Sequence, residues 1–414
     1  MAGKIRRHGL AHSLAWLMTL LTLTAGTAGM GRSQGVDKSP PASSPLPAAE
    51  MHDLYPAESI PFPVAPPGAV LTETKCDLKG NIYLVQSTSL PLSSPPTGLS
   101  GIPVSRLSMD SKSVVAYAVP SLDGYRGVVR SDFDVSADGR VYSLLEGLDA
   151  SAAKDQAPSA FIAKYKDDGT LDTYFKLGNA PEGRIYPHRF AMFRGGNALI
   201  TGTVVTEGRL RPFTAVLDPA GSFVTYVKVQ PPAPKAEGRA APARSAEGEA
   251  SRAGSTSEAG SQEAEHSEAD AAVILSSSSF IVSASDGNVY LLQGVGEARV
   301  HVISPAGEIV RDFEVSPPAP GLTATNMGMA GDDRVFISFG RVLGASAGSA
   351  NNGGPHDLIS LISPQTGEVS AVYRLTGEED AFEVPGCAAS SYNFLFVGAT
   401  PDQKHLQVTR FLPR

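Results

Sequence analysis

Asp134-Val135-Ser136-Ala137-Asp138-Gly139-Arg140-Val141-Tyr142-Ser143-Leu144-Leu145 reads as a strand, a tight Asp-Gly turn and a second strand. The pattern returns at Cys76–Val85, with Lys79-Gly80-Asn81 at its turn, and at Ser283–Leu292, with Asp286-Gly287-Asn288. Weaker copies stand at Phe193–Ile200, Gly331–Ile337 and Ser390–Val397. A hairpin of this kind cannot bury both apolar faces alone, so repeated hairpins must stack on one another.

Most copies are followed by a second hairpin whose turn is Asp-x-Gly, Pro-x-Gly or Pro-x-x-Gly: Phe161–Leu171, Thr214–Val224, Val300–Val310 and Leu358–Val369. Each unit therefore predicts four short strands. The first-hairpin glycines at 80, 139, 196 and 287 are 59, 57 and 91 residues apart. Discounting a low-complexity stretch of about 40 residues brings the last step to roughly 51. Four-stranded units at this pitch predict an all-β propeller. With 42 Gly and 32 Pro in 414 residues, the composition favours many turns over long helices.

The copies at Asp77–Val85, Ser136–Leu144 and Ser285–Leu292, with Val302–Ile309 as a second half, resemble the blades of the NHL and SMP-30-like propellers. The resemblance covers roughly residues 68 to 414 and implies six blades of four antiparallel strands. These blades fall at about 68–120, 124–178, 185–230, 271–316, 321–376 and 385–414. The last is short, so an N-terminal strand from residues 54–64 is expected to complete it and remove two open sheet edges. Longer repeats and Ser/Ala/Gly-rich loops depart from compact NHL blades.

The predicted organisation is a signal peptide over 1–29, a Pro/Ser/Ala-rich leader over 30–53, the propeller over 54–414 and a disordered insertion over 231–270. Lys4, Arg6 and Arg7 precede an apolar run from Leu10 to about Leu23, and Ala25–Gly29 supplies small residues for cleavage. A secreted or periplasmic chain is expected, with an uncleaved membrane anchor as the alternative. The mature form is then not membrane-spanning. The insertion has no aromatic residue and only Thr256 as a β-branched one. A formal charge of -8 and scattered Lys and Arg give no electrostatic case for nucleic acid. Cys76 and Cys387 sit at similar places in the first and last units. An exported chain permits a structural disulfide between them, and two buried thiols are the alternative. Such a loop is worth about 4–5 kcal/mol less strain by chain entropy.

Chemistry is harder to read. SMP-30-like lactonases hold a metal with acidic and Asn side chains from different blades. The corresponding candidates here are Glu73, Asp132, Asp134, Asn326 and Glu383, each near an inner strand. Asp138, Asp168 and Asp286 are explained by turn geometry. His188, beside Arg126, Arg130 and Arg189, is placed at the channel mouth, where it suits anion binding or base chemistry; a packed or surface histidine is the plainer reading. His188, Arg130 and Asp134 are the channel-mouth candidates. No zinc spacing, nucleophile elbow or phosphate loop is present. Tyr83, Tyr142, Tyr290 and Phe336 recur at one repeat position, which argues for packing between sheets. Trp16 falls in the signal peptide.

The leading expectation is an exported binding or scaffold module for a protein, peptide or small molecule, without a cofactor. The alternative is a hydrolase or lactonase using calcium or another divalent metal in the central channel. A sensor domain tethered by an uncleaved N-terminal helix is a third reading.

Overall fold

The computed structural model describes residues 49–61, 70–87, 103–108, 113–151, 156–229, 280–293, 298–340, 357–376, 382–390, 393–400 and 406–414. The stretch read as a signal peptide, the insertion over 231–270 and the Gly344–Gly354 stretch lie outside the described residues.

An N-terminal strand, β1 (Met51–Pro61), begins inside the stretch read as leader. Four antiparallel four-stranded sheets follow. The first comprises β2 (Val70–Cys76), β3 (Ile82–Ser87), β4 (Val104–Leu107) and β5 (Val114–Tyr117). The second comprises β6 (Tyr125–Val135), β7 (Val141–Asp149), β8 (Ser159–Tyr165) and β9 (Leu171–Lys176). The third comprises β10 (Arg184–Met192), β11 (Ala198–Thr206), β12 (Arg209–Leu217) and β13 (Phe223–Tyr226). The fourth comprises β14 (Phe280–Ser283), β15 (Val289–Gln293), β16 (Ala298–Ile303) and β17 (Ile309–Val315).

The remaining strands are β18 (Thr323–Met329), β19 (Val335–Gly340), β20 (Asp357–Ile362), β21 (Val369–Leu375), β22 (Phe382–Ser390), β23 (Asn393–Ala399) and β24 (Leu406–Pro413). They do not form two further four-stranded sheets. β1 pairs antiparallel with β24, Tyr55 opposite Leu412, and also pairs parallel with β21, His52 opposite Tyr373. That second pairing joins everything from β18 to β24 into one eight-stranded sheet. Its end strands, β18 and β22, come into contact, so it nearly closes on itself. It encloses its own core of Leu54, Phe336, Tyr373, Phe394, Phe396 and Phe411.

The six-bladed propeller of the NHL/SMP-30-like type is thereby corrected. The hydrogen bonding gives four four-stranded antiparallel blades and one nearly closed eight-stranded sheet. The physical reason is the parallel pairing of β1, which a period-two pattern of side chains cannot reveal.

The first strands of the sheets lie against one another: β2 beside β6 and β22, β6 beside β10, β10 beside β14, β14 beside β18. Cys76 of β2 and Cys387 of β22 are joined by a disulfide with Cα atoms 5.6 Å apart. The bond clasps the eight-stranded sheet to the first four-stranded one across 311 residues of sequence.

The turns follow from local chemistry. Gly287 N–H donates to Ala284 O, and Gly287 takes a φ of 85°. Asp286 accepts from Asn288 N–H and from the Tyr290 hydroxyl, so the turn motif carries its own buried aromatic. At the weaker copy Asp333 stands where the others have Gly and takes a φ of 64°, a conformation Asp tolerates better than most residues. Gly307, in the turn between β16 and β17, needs more than a positive φ. A Cβ there would lie 2.3 Å from Thr225 Cγ2 of β13, so this turn seats directly on the neighbouring sheet.

The first strand of several sheets carries a β-bulge. Register shifts fall between Leu71 and Glu73 in β2, Arg130 and Asp132 in β6, Pro187 and Arg189 in β10, and Ala324 and Asn326 in β18. A bulge inserts one unpaired residue and re-aims the side chains that follow. Glu73, Asp132, Arg189 and Asn326 therefore occupy equivalent places, each the first paired residue after its bulge.

Candidate functional site

The bulges decide where the sequence-predicted residues go. Ser131 is the extra residue of β6, so Arg130 and Asp132 no longer obey simple alternation. Arg130 is buried; its Nε donates to Ser143 Oγ at 2.8 Å and its Nη2 to Tyr117 O at 2.9 Å. Burial lowers its pKa from the usual guanidinium range. It joins β6 to the sheet before it.

Asp132 and Asp134 reach the other way. Asp132 accepts from Arg189 Nη1 at 3.0 Å and from Phe190 N–H at 3.1 Å. Asp134, with a side chain 1% exposed, accepts from Met192 N–H at 2.8 Å and lies 3.7 Å from Lys75 Nζ. Ser283 Oγ of β14 stands 3.0 Å from Asp134 Oδ2 and 2.6 Å from Met192 O. Its single proton serves one of these acceptors at a time. Desolvation raises the Asp134 pKa above the usual carboxylate range, against the pull of Lys75 and the Met192 and Ser283 hydrogen bonds. This cluster draws on β2, β6, β10 and β14.

His188 is the extra residue of the β10 bulge, which turns its ring outward to an exposed position 3.4 Å from Thr203 Oγ1. Partial desolvation and then Arg189 lower its pKa. The structure thus does not gather His188, Arg130 and Asp134 into one constellation. Arg130 faces the preceding sheet, Asp134 is sealed against the following one, and His188 looks out. Glu73 and Glu383 lie in β2 and β22, and their side chains lie outside the described residues. Asn326 lies in β18, where its Oδ1 accepts from Met327 N–H. Among the described residues no group of three or more His, Cys, Asp or Glu is placed to hold a metal ion. Asp138, Asp168 and Asp286 accept hydrogen bonds within their own turns, as turn chemistry predicts.

A different place in the molecule has the character of a binding site. A cavity of about 330 Å³ lies between the β10–β13 and β14–β17 sheets. Val227, Val229 and Leu291 give it an apolar wall. Two buried polar side chains line it, one from each sheet. Thr201 of β11 is 3% exposed, and its Oγ1 has no hydrogen-bond partner among the described residues. Gln293 of β15 is 6% exposed, and its Oε1 lies 2.9 Å from His301 Nε2. His301 is itself buried, with Asp312 Oδ1 3.6 Å from its Nδ1. Burial lowers the His301 pKa, and Asp312 opposes that shift. Glu182 and Arg211 stand exposed at the rim.

A second hollow, of about 420 Å³, lies between the β6–β9 and β10–β13 sheets. Its Arg184 is spent on the Ala157 and Pro158 carbonyls.

No family model and no curated protein matches the chain. Solved structures do resemble it in outline. A protein of unknown function from Dyadobacter fermentans DSM 18053 is 11% identical over 87% of this chain and 99% of its own, with a TM-score of 0.47. A streptogramin B lyase is 12% identical over 86% and 98%, with a TM-score of 0.37. A putative gluconolactonase is 10% identical over 87% and 95%, with a TM-score of 0.40. The chain is thus weakly similar in structure to several lyase- and lactonase-like proteins, and at this level the likeness transfers no activity to it. Among the described residues no helix is long and apolar enough to cross a membrane.

Proposed function

We propose that this chain is a binding module whose ligand is a small molecule held between the β10–β13 and β14–β17 sheets. The observation that carries the reading is the cavity itself: an apolar wall with a few buried polar groups, one of them a hydroxyl with no partner among the described residues. Small-molecule sites have this composition, and about 300–1,000 Å³ is their usual size. A rigid scaffold of stacked sheets keeps such a site preformed, which lowers the ordering cost of binding.

The test is a ligand-observed NMR screen of small fragments against the full chain. Hits are expected to compete with one another and to be lost in Thr214→Trp, which places a bulky ring on the half-buried wall beside Thr201. Hits unaffected by that substitution would move the site elsewhere.

A second reading retains the divalent-metal hydrolase with a site among the first strands. What favours it is the equivalent placement of Glu73, Asp132 and Asn326 after their bulges, on three different strands. Calorimetric titration with calcium and with manganese, alongside a lactone-hydrolysis assay, separates the two. Stoichiometric metal uptake with metal-dependent turnover would replace the binding-module reading.

We also place the chain outside the cytoplasm. The charged, apolar and small-residue order of residues 4–29 supports export, as does the Cys76–Cys387 bond. N-terminal sequencing of the chain recovered from outside the cell is expected to start after the small-residue stretch at 25–29; an intact Met1 start would refute cleavage.

A further inference from the structure

The cavity's polar groups point to the chemistry of its ligand. This step rests on the binding reading above. Thr201 Oγ1 is a buried hydroxyl with no partner among the described residues, and a hydroxyl in that state costs free energy unless something bonds it. Gln293 has an amide with two ends. One end, Oε1, is taken by the His301 ring nitrogen at 2.9 Å. An amide that accepts from a ring N–H leaves its NH₂ group to donate elsewhere. Burial lowers the His301 pKa and Asp312 opposes that shift; with Nε2 protonated, the ring is that donor.

The two sheets therefore each bring one neutral donor to the cavity, a hydroxyl from β11 and a primary amide from β15. The charged groups, Glu182 and Arg211, are confined to the exposed rim. Thr214 adds a hydroxyl on the half-buried wall, and Val227, Val229 and Leu291 make the rest aliphatic. A charged ligand group taken to the buried wall would lose its hydration against uncharged partners. A neutral acceptor oxygen on an apolar body meets both demands.

We infer that the cavity takes a compact neutral carbonyl compound, its oxygen accepting from Gln293 or Thr201 and its hydrocarbon body packed on Val227, Val229 and Leu291. Recognition here depends on a hydrogen bond that the apo protein leaves unmade. A site built to bond an oxygen penalises an isostere that lacks it, because its buried donors stay unpaired.

The experiment compares acetophenone with cumene, which replaces the carbonyl by a branched hydrocarbon of nearly the same shape. Affinities for the full chain are measured by ligand-observed NMR titration. Acetophenone is expected to bind about tenfold more tightly than cumene, the size of one satisfied hydrogen bond. The preference is expected to disappear in Thr201→Val or Gln293→Leu while cumene binding stays. Thr201→Ser, which keeps the hydroxyl, is expected to keep the preference, and circular dichroism reports whether each variant is folded. Equal binding of both probes, abolished together by Thr214→Trp, would overturn the carbonyl inference and leave the binding site in place. Binding of neither probe, or binding that ignores Thr214→Trp, would overturn the binding reading itself.

Discussion

The β10–β13 and β14–β17 sheets meet in two contrasting ways. At their inner end, Ser283 bonds the Met192 carbonyl, and Asp134 from β6 ties both strands together. Every polar atom named there has a partner. Further out, the same sheets stand apart around a cavity, and the Thr201 hydroxyl on its wall has none among the described residues. Between these regions a core of Phe193, Leu199, Val216, Val289, Leu291 and Ile303 fills the interface. The lesson concerns what a buried polar group is for. Where its bonds are complete, it holds sheets in register. Where they are incomplete, the protein carries a cost that a ligand can relieve.

Four changes break or sharpen this contrast. Asp134→Ala should have the largest effect, a loss of about 3–5 kcal/mol in urea-unfolding stability, since it strands Lys75 and the Met192 N–H. Asp134→Asn, which keeps an acceptor, should cost less than half of that.

Gly307→Ala should come next, at about 2–3 kcal/mol, because it adds a clash with Thr225 to an unfavourable positive φ. Gly287→Ala has a similar φ and open space, so about 1 kcal/mol is expected. Equal losses in the two would show that Gly307 is not wedged against the next sheet.

The third change is in pH. The Asp134 pKa is raised in the folded state, so the folded chain holds a proton that the unfolded chain has already released. The contribution of Asp134 to stability is therefore greatest in acid. It is lost as pH rises from the ordinary carboxylate value, about 3.9, through the raised folded value. Urea melts across that interval should show wild type losing stability relative to Asp134→Asn. A difference that stays flat with pH would mean that the carboxylate is not desolvated as described.

The smallest effect carries the opposite sign. Thr201→Val should leave stability unchanged or raise it by up to about 1 kcal/mol, because it removes an unsatisfied hydroxyl at nearly constant volume. Differential scanning fluorimetry is sensitive enough to see the direction. A clear loss would mean that the hydroxyl is bonded and the cavity wall is ordinary core.

Much of the local architecture could be read from the chain. The Asp-Gly and Pro-x-Gly turns fell where the repeats put them, because a positive φ leaves a visible glycine. The recurring Tyr83 and Tyr290 are buried as the repeat suggested. The sheet count could not be read, because the parallel pairing of β1 with β21 is made by backbone groups at a sheet edge and leaves no side-chain signature. The site was harder still. A period-two reading puts Arg130, Asp132 and Asp134 on one face, but the bulge at Ser131 separates the first from the other two. His188 was placed near the right strand, and its own bulge turned it to solvent. Thr201 and Gln293 lie in strands that read as plain core. The signal that could have marked them is a polar residue inside an otherwise apolar run, Ala198-Leu199-Ile200-Thr201 and Val289-Tyr290-Leu291-Leu292-Gln293. That signal says the group needs a partner without saying whether the partner is protein or ligand.

The most direct test of the cavity as a ligand site is a crystal structure of the full chain soaked with acetophenone. The account predicts density between the two sheets, with the carbonyl oxygen within hydrogen-bonding distance of Thr201 Oγ1 or Gln293 Nε2 and the ring against Leu291. An unoccupied cavity, or acetophenone bound only at another place on the chain, would contradict it.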